Sequence, residues 1–219
     1  MKRDHKSTNA ELPDGYQRAQ YIQFPNDDKH LGLDTGVMPQ MGLKLNCKVV
    51  FQQRTVEPNR NFPCLIFGFW YPNANYRFIL FSTKDKFVDG KYVTNQGLYE
   101  NATQDKTIDF DTELEIESYI DDGNQYLLIN GESYPSTTSV QFTGTPPNWD
   151  RTLLFGQQVI DDNNSAIRGF YGKVMYMQLS KNGILLADWL PCKRISDDKY
   201  GMWDFVSNEF KTANYITGL

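Results

Sequence analysis

The nine residues Thr112-Glu113-Leu114-Glu115-Ile116-Glu117-Ser118-Tyr119-Ile120 alternate with a period of two. An extended backbone sorts that pattern into two faces, with Leu114, Ile116 and Ile120 on one and Glu113, Glu115 and Glu117 on the other. A helix would scatter the same glutamates around its circumference, so this stretch reads as a half-buried strand. Asp121-Asp122-Gly123-Asn124 then supplies turn chemistry, because Gly and Asn tolerate positive φ. Gln125-Tyr126-Leu127-Leu128-Ile129 runs back, and Asn130-Gly131 is a second hairpin signal. A β-meander follows from residue order alone.

The same logic extends along the chain. Residues 17–24, 30–37, 42–54, 62–71, 76–83, 151–158, 168–180 and 184–190 are rich in β-branched or aromatic side chains and bounded by Gly, Pro, Asn or Asp. No long window carries a 3.6-residue period free of such punctuation, and the 16 glycines and 10 prolines recur at turn spacing. Aromatic residues make up 14% of the chain, enough to fill a core between sheets. These features predict an all-β fold, a sandwich or jelly roll whose twisted sheets cover each other's apolar faces. With 219 residues, the expected organisation is a flexible polar arm over 1–11 and one domain over 12–219. Thr143-Gly144-Thr145-Pro146-Pro147-Asn148 reads as a rigid loop inside that domain. Internal repeats, heptads and low-complexity runs are absent from the sequence.

Several function classes lose their material at this point. The net charge is −5 and the basic residues are scattered, so no nucleic-acid footprint is expected. His5 and His30 are the only histidines, too few for a His-rich metal centre and poor material for a Ser-His-Asp triad. Cys47, Cys64 and Cys192 are odd in number, with no Cys-x-x-Cys pair. Cys47 shares parity with Leu43, Leu45, Val49 and Phe51 and reads as a small buried hydrophobe. The first eleven residues lack an apolar signal region, and no stretch approaches the ~18–20 apolar residues of a membrane span. No Sec signal and no membrane insertion are expected. The arm should order only against a partner subunit, since it has too little apolar surface to offset its own entropy.

The two ends carry more specific motifs. Leu12-Pro13-Asp14-Gly15-Tyr16, Tyr21-Ile22 and Leu33-Asp34-Thr35-Gly36-Val37 resemble the pattern "LPxGY…YI…IDTGI". Gly172-Lys173-Val174-Met175-Tyr176 is similar to "GKIY". Asp188-Trp189-Leu190-Pro191-Cys192-Lys193-Arg194, Gly201-Met202-Trp203-Asp204 and Asn208-Glu209-Phe210 resemble "LVRDFxPCRR…GLYD…NxxFY". In this order, over roughly 12–218, they resemble a family of concanavalin A-like (laminin-G-like) jelly-roll domains found in phage and gut-bacterial proteins. The resemblance implies two antiparallel sheets with neighbouring first and last strands. Trp189, Pro191 and Trp203 read as core and edge packing between the terminal strands. Residues 55–64 and 84–111 are longer and more polar than a minimal member, and such insertions are where a protein-specific role would sit.

Candidate chemistry can then be weighed. Some enzymes of this fold carry two carboxylates on one strand, and here Glu113, Glu115 and Glu117 stand about 6.6 Å apart in steps of two residues. No Asp or aromatic completes the motif, so no catalytic residue is assigned and the chain is expected not to be an enzyme. Asp161, Asp162 and Asn163 offer oxygen ligands of the kind Ca²⁺ accepts, although Asp and Asn fill turns for their own reasons. No other cofactor is expected. Trp70 and Tyr71 with Asn73 and Asn75, and separately Trp149 with Asp150 and Arg151, combine aromatic faces with polar groups as lectin-like sites do. Trp, Tyr and Arg equally anchor protein interfaces. The resulting expectation is a non-enzymatic bacteriophage virion component, a decoration, head-fibre or tail-attachment module. It would bind cell-surface glycan, other virion proteins or both, and homo-oligomers are compatible with it. The alternatives are a secreted or cell-surface bacterial carbohydrate-binding module and, third, a glycoside hydrolase.

Overall fold

The computed structural model describes residues 10–25, 32–38, 42–52, 65–71, 76–84, 91–98, 102–107, 110–121, 124–135, 152, 154–156, 158–160, 170–213 and 215–219. Over 65–107 it describes the backbone course alone. The expected arm falls on residues outside this set, apart from its last two positions. Every regular element among the described residues is a strand.

Among the described residues the larger sheet has eleven strands. It contains β1 (Tyr16–Arg18), β2 (Ile22–Phe24), β4 (Leu43–Phe51), β9 (Glu113–Asp121), β10 (Asn124–Ile129) and β11 (Glu132–Pro135). β14 (Gly172–Lys181), β15 (Ile184–Arg194), β16 (Lys199–Asp204), β17 (Glu209–Thr212) and β18 (Thr217–Gly218) complete it. Its main path runs β11-β10-β9-β4-β14-β15-β16-β17. The smaller sheet contains β3 (Leu33–Asp34), β5 (Leu65–Tyr71), β6 (Tyr76–Lys84), β7 (Lys91–Leu98), β8 (Ala102–Thr107), β12 (Leu154–Phe155) and β13 (Gln158–Ile160).

The alternation predicted for 112–120 is what the core uses. Leu114 and Ile116 of β9, Leu45, Cys47 and Val49 of β4, and Val174, Met177 and Leu179 of β14 form one buried cluster. Leu33 and Phe155 of the smaller sheet join it, so the core lies between the sheets. Phe155 meets Phe24 and Trp189 edge-on, each at 6.0 Å between ring centroids. Asn130 and Gly131 both take positive φ, 53° and 80°, the signature of the type I′ turn that closes β10 onto β11. The chain ends also meet, because β18 pairs β2 and β1 pairs β15.

Four expectations are corrected. The span 17–24 is two strands: Ala19 leaves the ladder and donates its N–H to the Pro191 carbonyl, so β1 and β2 find different partners. The span 151–158 likewise divides into β12 and β13. The sheets are not wholly antiparallel, since β13 runs parallel to β5. Finally, 84–111, where no strand was expected, holds β7 and β8, antiparallel to their neighbours in the smaller sheet. Its polar composition hid them, because strand propensity reports packing surfaces and is weak at a sheet margin.

Pro191 sits within β15, a position normally hostile to proline. β14 pairs this strand as far as Trp189 and β1 begins at Cys192. The proline falls in the gap, where its carbonyl serves Ala19 and a missing donor breaks no ladder bond.

Candidate functional site

The core occupies one face of the larger sheet. The opposite face can be read across the strands from register. Glu115 stands opposite Lys48, and Lys48 opposite Tyr176. Met177 pairs with Trp189, which sets Tyr176 beside Leu190 one step on. Leu190 stands opposite Trp203, and Trp203 opposite Phe210. A single row therefore crosses β9, β4, β14, β15, β16 and β17. A second row, Glu117, Asn46, Gln178 and Asp188, runs beside it.

Tyr176 reaches this face because of a bulge. Val174 pairs with Val49 and Tyr176 with Lys48, so Met175 is the extra residue. Simple alternation from Val174 would turn Tyr176 into the core; the bulge re-aims it outward. Its hydroxyl donates to Glu115 Oε1 at 3.1 Å. Burial, and then the neighbouring Glu115 charge, raise the Tyr176 phenol above its ordinary range, so it acts as a neutral donor. Deeper in the face, Gln178 Nε2 donates to Asp188 Oδ1 at 2.9 Å, and both residues are buried.

At the β16–β17 end the face turns aromatic. Tyr16 packs against Trp203 and Phe210 with centroids 4.8 and 5.3 Å away, and all three rings are half-buried. The Arg194 guanidinium lies 4.9 Å from the Phe210 centroid and forks onto Asp197 with bonds of 2.9 and 2.7 Å. At the β9–β10 end Tyr119 and Tyr126 stack at 4.8 Å, with Lys44 4.4 Å from the Tyr119 centroid. That second arrangement is a cross-strand ladder, its tyrosines directly opposed.

The three glutamates are engaged in this surface. Glu113 pairs with Lys48 and Glu117 with Lys44, each at 2.5 Å, while Glu115 holds Tyr176. The Arg194 fork holds the Asp197 carboxyl down to about 2. A depressed acid contributes its stability above its unfolded value of about 3.9 and loses it as pH falls through the folded one. Acid titration followed by NMR should therefore leave the Arg194–Asp197 pair intact at pH 4 and open it only near pH 2. An Asp197 carboxyl that titrates at an ordinary value would contradict the fork.

Cys47 and Cys192 are free and buried, and burial pushes the Cys192 thiol up to about 12 and raises Cys47 as well. Neither is a thiolate nucleophile at neutral pH. Cys47 is the small hydrophobe its parity predicts. Among the described residues no group of three or more His, Cys, Asp or Glu could hold a metal ion. No helix there is long and apolar enough to cross a membrane.

Of the sequence candidates, Asn73, Asn75, Trp149, Asp150, Arg151, Asp161, Asp162 and Asn163 lie outside the described residues. For Trp70 and Tyr71 the backbone is described: both end β5, opposite Arg77 and Tyr76 of β6, and Trp70 also faces Ile160 of β13. Trp189 and Pro191 are buried, and Trp203 is half-buried on the outer face, packed at the sheet's end against Tyr16 of β1. Its parity with Gly201 across a hairpin to Phe210 was the available signal, and only the pairing of β16 with β15 gives it meaning.

The fold is an all-β sandwich of two sheets. Among solved structures, the chain is similar to a "putative carbohydrate binding protein from Bacteroides ovatus ATCC 8483", at TM-score 0.54 and 12% identity. The match covers 92% of this chain and 59% of that one, so the chain spans about three-fifths of its length. A mutant of Trypanosoma rangeli sialidase displaying trans-sialidase activity aligns at TM-score 0.44 and 13% identity, over 75% of this chain and 27% of its own. No family model matches, and no curated protein does. At these identities the likeness is one of fold.

Proposed function

We propose that this chain is a carbohydrate-binding module without catalytic activity of its own, and that it binds glycan on the outer face of the larger sheet. The observation that carries the reading is the row Glu115, Lys48, Tyr176, Leu190, Trp203 and Phe210. Its centre is closed, with Tyr176 and Leu190 buried; what it exposes is the half-buried ring group of Trp203 and Phe210 with Tyr16 at one end, and Glu115 and Lys48 at the other. A sugar presents the complementary surfaces, apolar C–H faces and a rim of hydroxyls that both donate and accept. The likeness of fold to the Bacteroides protein supports the same reading. Trp70, Tyr71, Asn73 and Asn75, and Trp149, Asp150 and Arg151, remain proposed as further contacts. The proposed setting, a bacteriophage virion, rests on the sequence resemblance, and a bacterial surface is its alternative. Mass spectrometry of purified particles decides between them.

Trp203→Ala tests the site. The ring is a half-buried anchor, so its loss should weaken glycan binding by about 2 kcal/mol, roughly 30-fold. Circular dichroism should stay that of the parent. Affinity electrophoresis in gels containing soluble polysaccharides reads the change. Retention of the variant equal to that of the parent would remove Trp203 from the site. Absence of retardation by every polysaccharide and glycan-array probe would overturn the reading.

A further inference from the structure

We infer that the aromatic end of the outer face holds a single acidic sugar unit, its ring on the group around Trp203 and its carboxylate or sulfate met by Arg18 and Lys199. The inference rests on the carbohydrate reading and names the ligand class. Register brings the parts together. Tyr16 of β1 stands opposite Arg194 of β15, and Arg194 opposite Lys199 of β16. Two residues along, Arg18 stands opposite Cys192, and Cys192 opposite Gly201. Two further along stand Leu190, Trp203 and Phe210. Opposed residues, and residues two apart in one strand, share a face, so Arg18 and Lys199 lie on the face of the ring group. Cys192 and Gly201 are its buried floor. A Cβ on Gly201 would stand 2.7 Å from Phe210 Cε2, so the bare glycine is what lets that ring lie across β16. Arg18 and Lys199 are both exposed and flank the half-buried rings from β1 and β16. Past Leu190 the face is closed by buried Tyr176, which confines the site to this end and to one sugar unit.

The second support is charge. Arg18, Arg194 and Lys199 share this end of the face, against the carboxylates of Asp197 and, in the turn before β1, Asp14. Asp197 is committed within the protein: it takes the Arg194 fork and accepts the Lys199 backbone N–H. Asp188, two residues past Leu190, is buried and holds Gln178. Lys193 and Lys211 have the opposite parity and are matched to Asp198 and Glu209. The local balance is thus positive in a chain whose net charge is −5. A guanidinium forks onto a carboxylate or sulfate and an ammonium adds a point charge, so an acidic sugar gains these bonds while the Arg194–Asp197 pair stays intact. A neutral sugar meets the same rings without that attraction.

The test begins with an array of neutral, carboxylated and sulfated glycans probed with the full chain, and the retained probes should carry an acidic unit. Whichever acid is retained most tightly names the source of the charge. That glycan is then titrated calorimetrically beside its carboxyl-reduced or desulfated counterpart. The variants are Arg18→Gln with Lys199→Gln, and the charge-preserving pair Arg18→Lys with Lys199→Arg. The acidic form should bind the parent at least tenfold more tightly than the neutral form. The glutamine variant should abolish that preference and leave the neutral affinity unchanged, whereas the charge-preserving variant should keep most of it. Trp203→Ala should weaken both forms alike. Retention of neutral probes only, equal affinity for the two forms, or a preference that survives in the glutamine variant would overturn the inference and leave the carbohydrate reading standing. An oligoglutamate peptide that binds as tightly as the acidic sugar would also overturn it, marking the cations as a protein contact. No retained probe of any kind, together with no retardation in polysaccharide gels, would remove both readings.

Discussion

Gly172→Ala is expected to destabilise the sandwich by about 3 kcal/mol or more, a fall of roughly 6–12 °C in Tm for a chain of this size. Gly172 opens β14 opposite both Phe51 of β4 and Phe24 of β2, with φ at 150°. A Cβ there would stand 1.9 Å from the Val50 carbonyl oxygen and 2.8 Å from Phe170 Cζ. The first neighbour is backbone of a strand paired there on both sides, to Lys173 and Glu113, and cannot step aside. The second belongs to a packed aromatic group, with Phe170 edge-on to Phe24 at 5.6 Å and to Phe51 at 5.3 Å. Gly131→Ala separates this crowding from the cost of positive φ itself. Gly131 has φ of 80° and nothing within 4 Å of a built Cβ, so only the conformational penalty of about 1–2 kcal/mol applies. Thermal melts of the two variants should differ clearly, and equal losses would mean that the close approach at Gly172 is not what requires glycine.

Trp189→Ala should cost about 3–5 kcal/mol, the range for removing a large ring from a close-packed core. Trp189 is fully buried and edge-on to Phe155, so it joins the larger sheet to the smaller one. Its Nε1 finds no acceptor among the described residues, so the ring contributes there through packing. The contrast with Trp203 is the informative part. Trp189→Ala should lower the midpoint of denaturant unfolding while the folded fraction binds glycan like the parent. Trp203→Ala should do the reverse. If the two variants were equally unstable, Trp203 would be core and the outer face would lose its anchor.

Residue order alone was enough for the strands with a clean period of two. Leu114 and Ile116 face inward, the neighbouring glutamates face outward, and Asn130-Gly131 turns where its φ preferences demand. At Asp34-Thr35-Gly36 the Gly36 N–H bonds to Asp34 Oδ1 at 2.8 Å, a turn made by neighbouring residues alone. These features are local, so local chemistry determines them. The polar strands β7 and β8 and the split of 17–24 were not legible, because both depend on which distant strand supplies the hydrogen bonds. The site was less legible still. Trp203, in a motif read as packing, and Tyr176, whose alternation pointed inward, share one row only because β15 lies between β14 and β16 and a bulge at Met175 reverses the facing of Tyr176. Glu115 and Tyr176 are 61 residues apart in the chain and one hydrogen bond apart in space. The two-residue period states which side chains share a face within a strand. Strand order and bulges, chosen by burial of the whole core, decide which faces become neighbours.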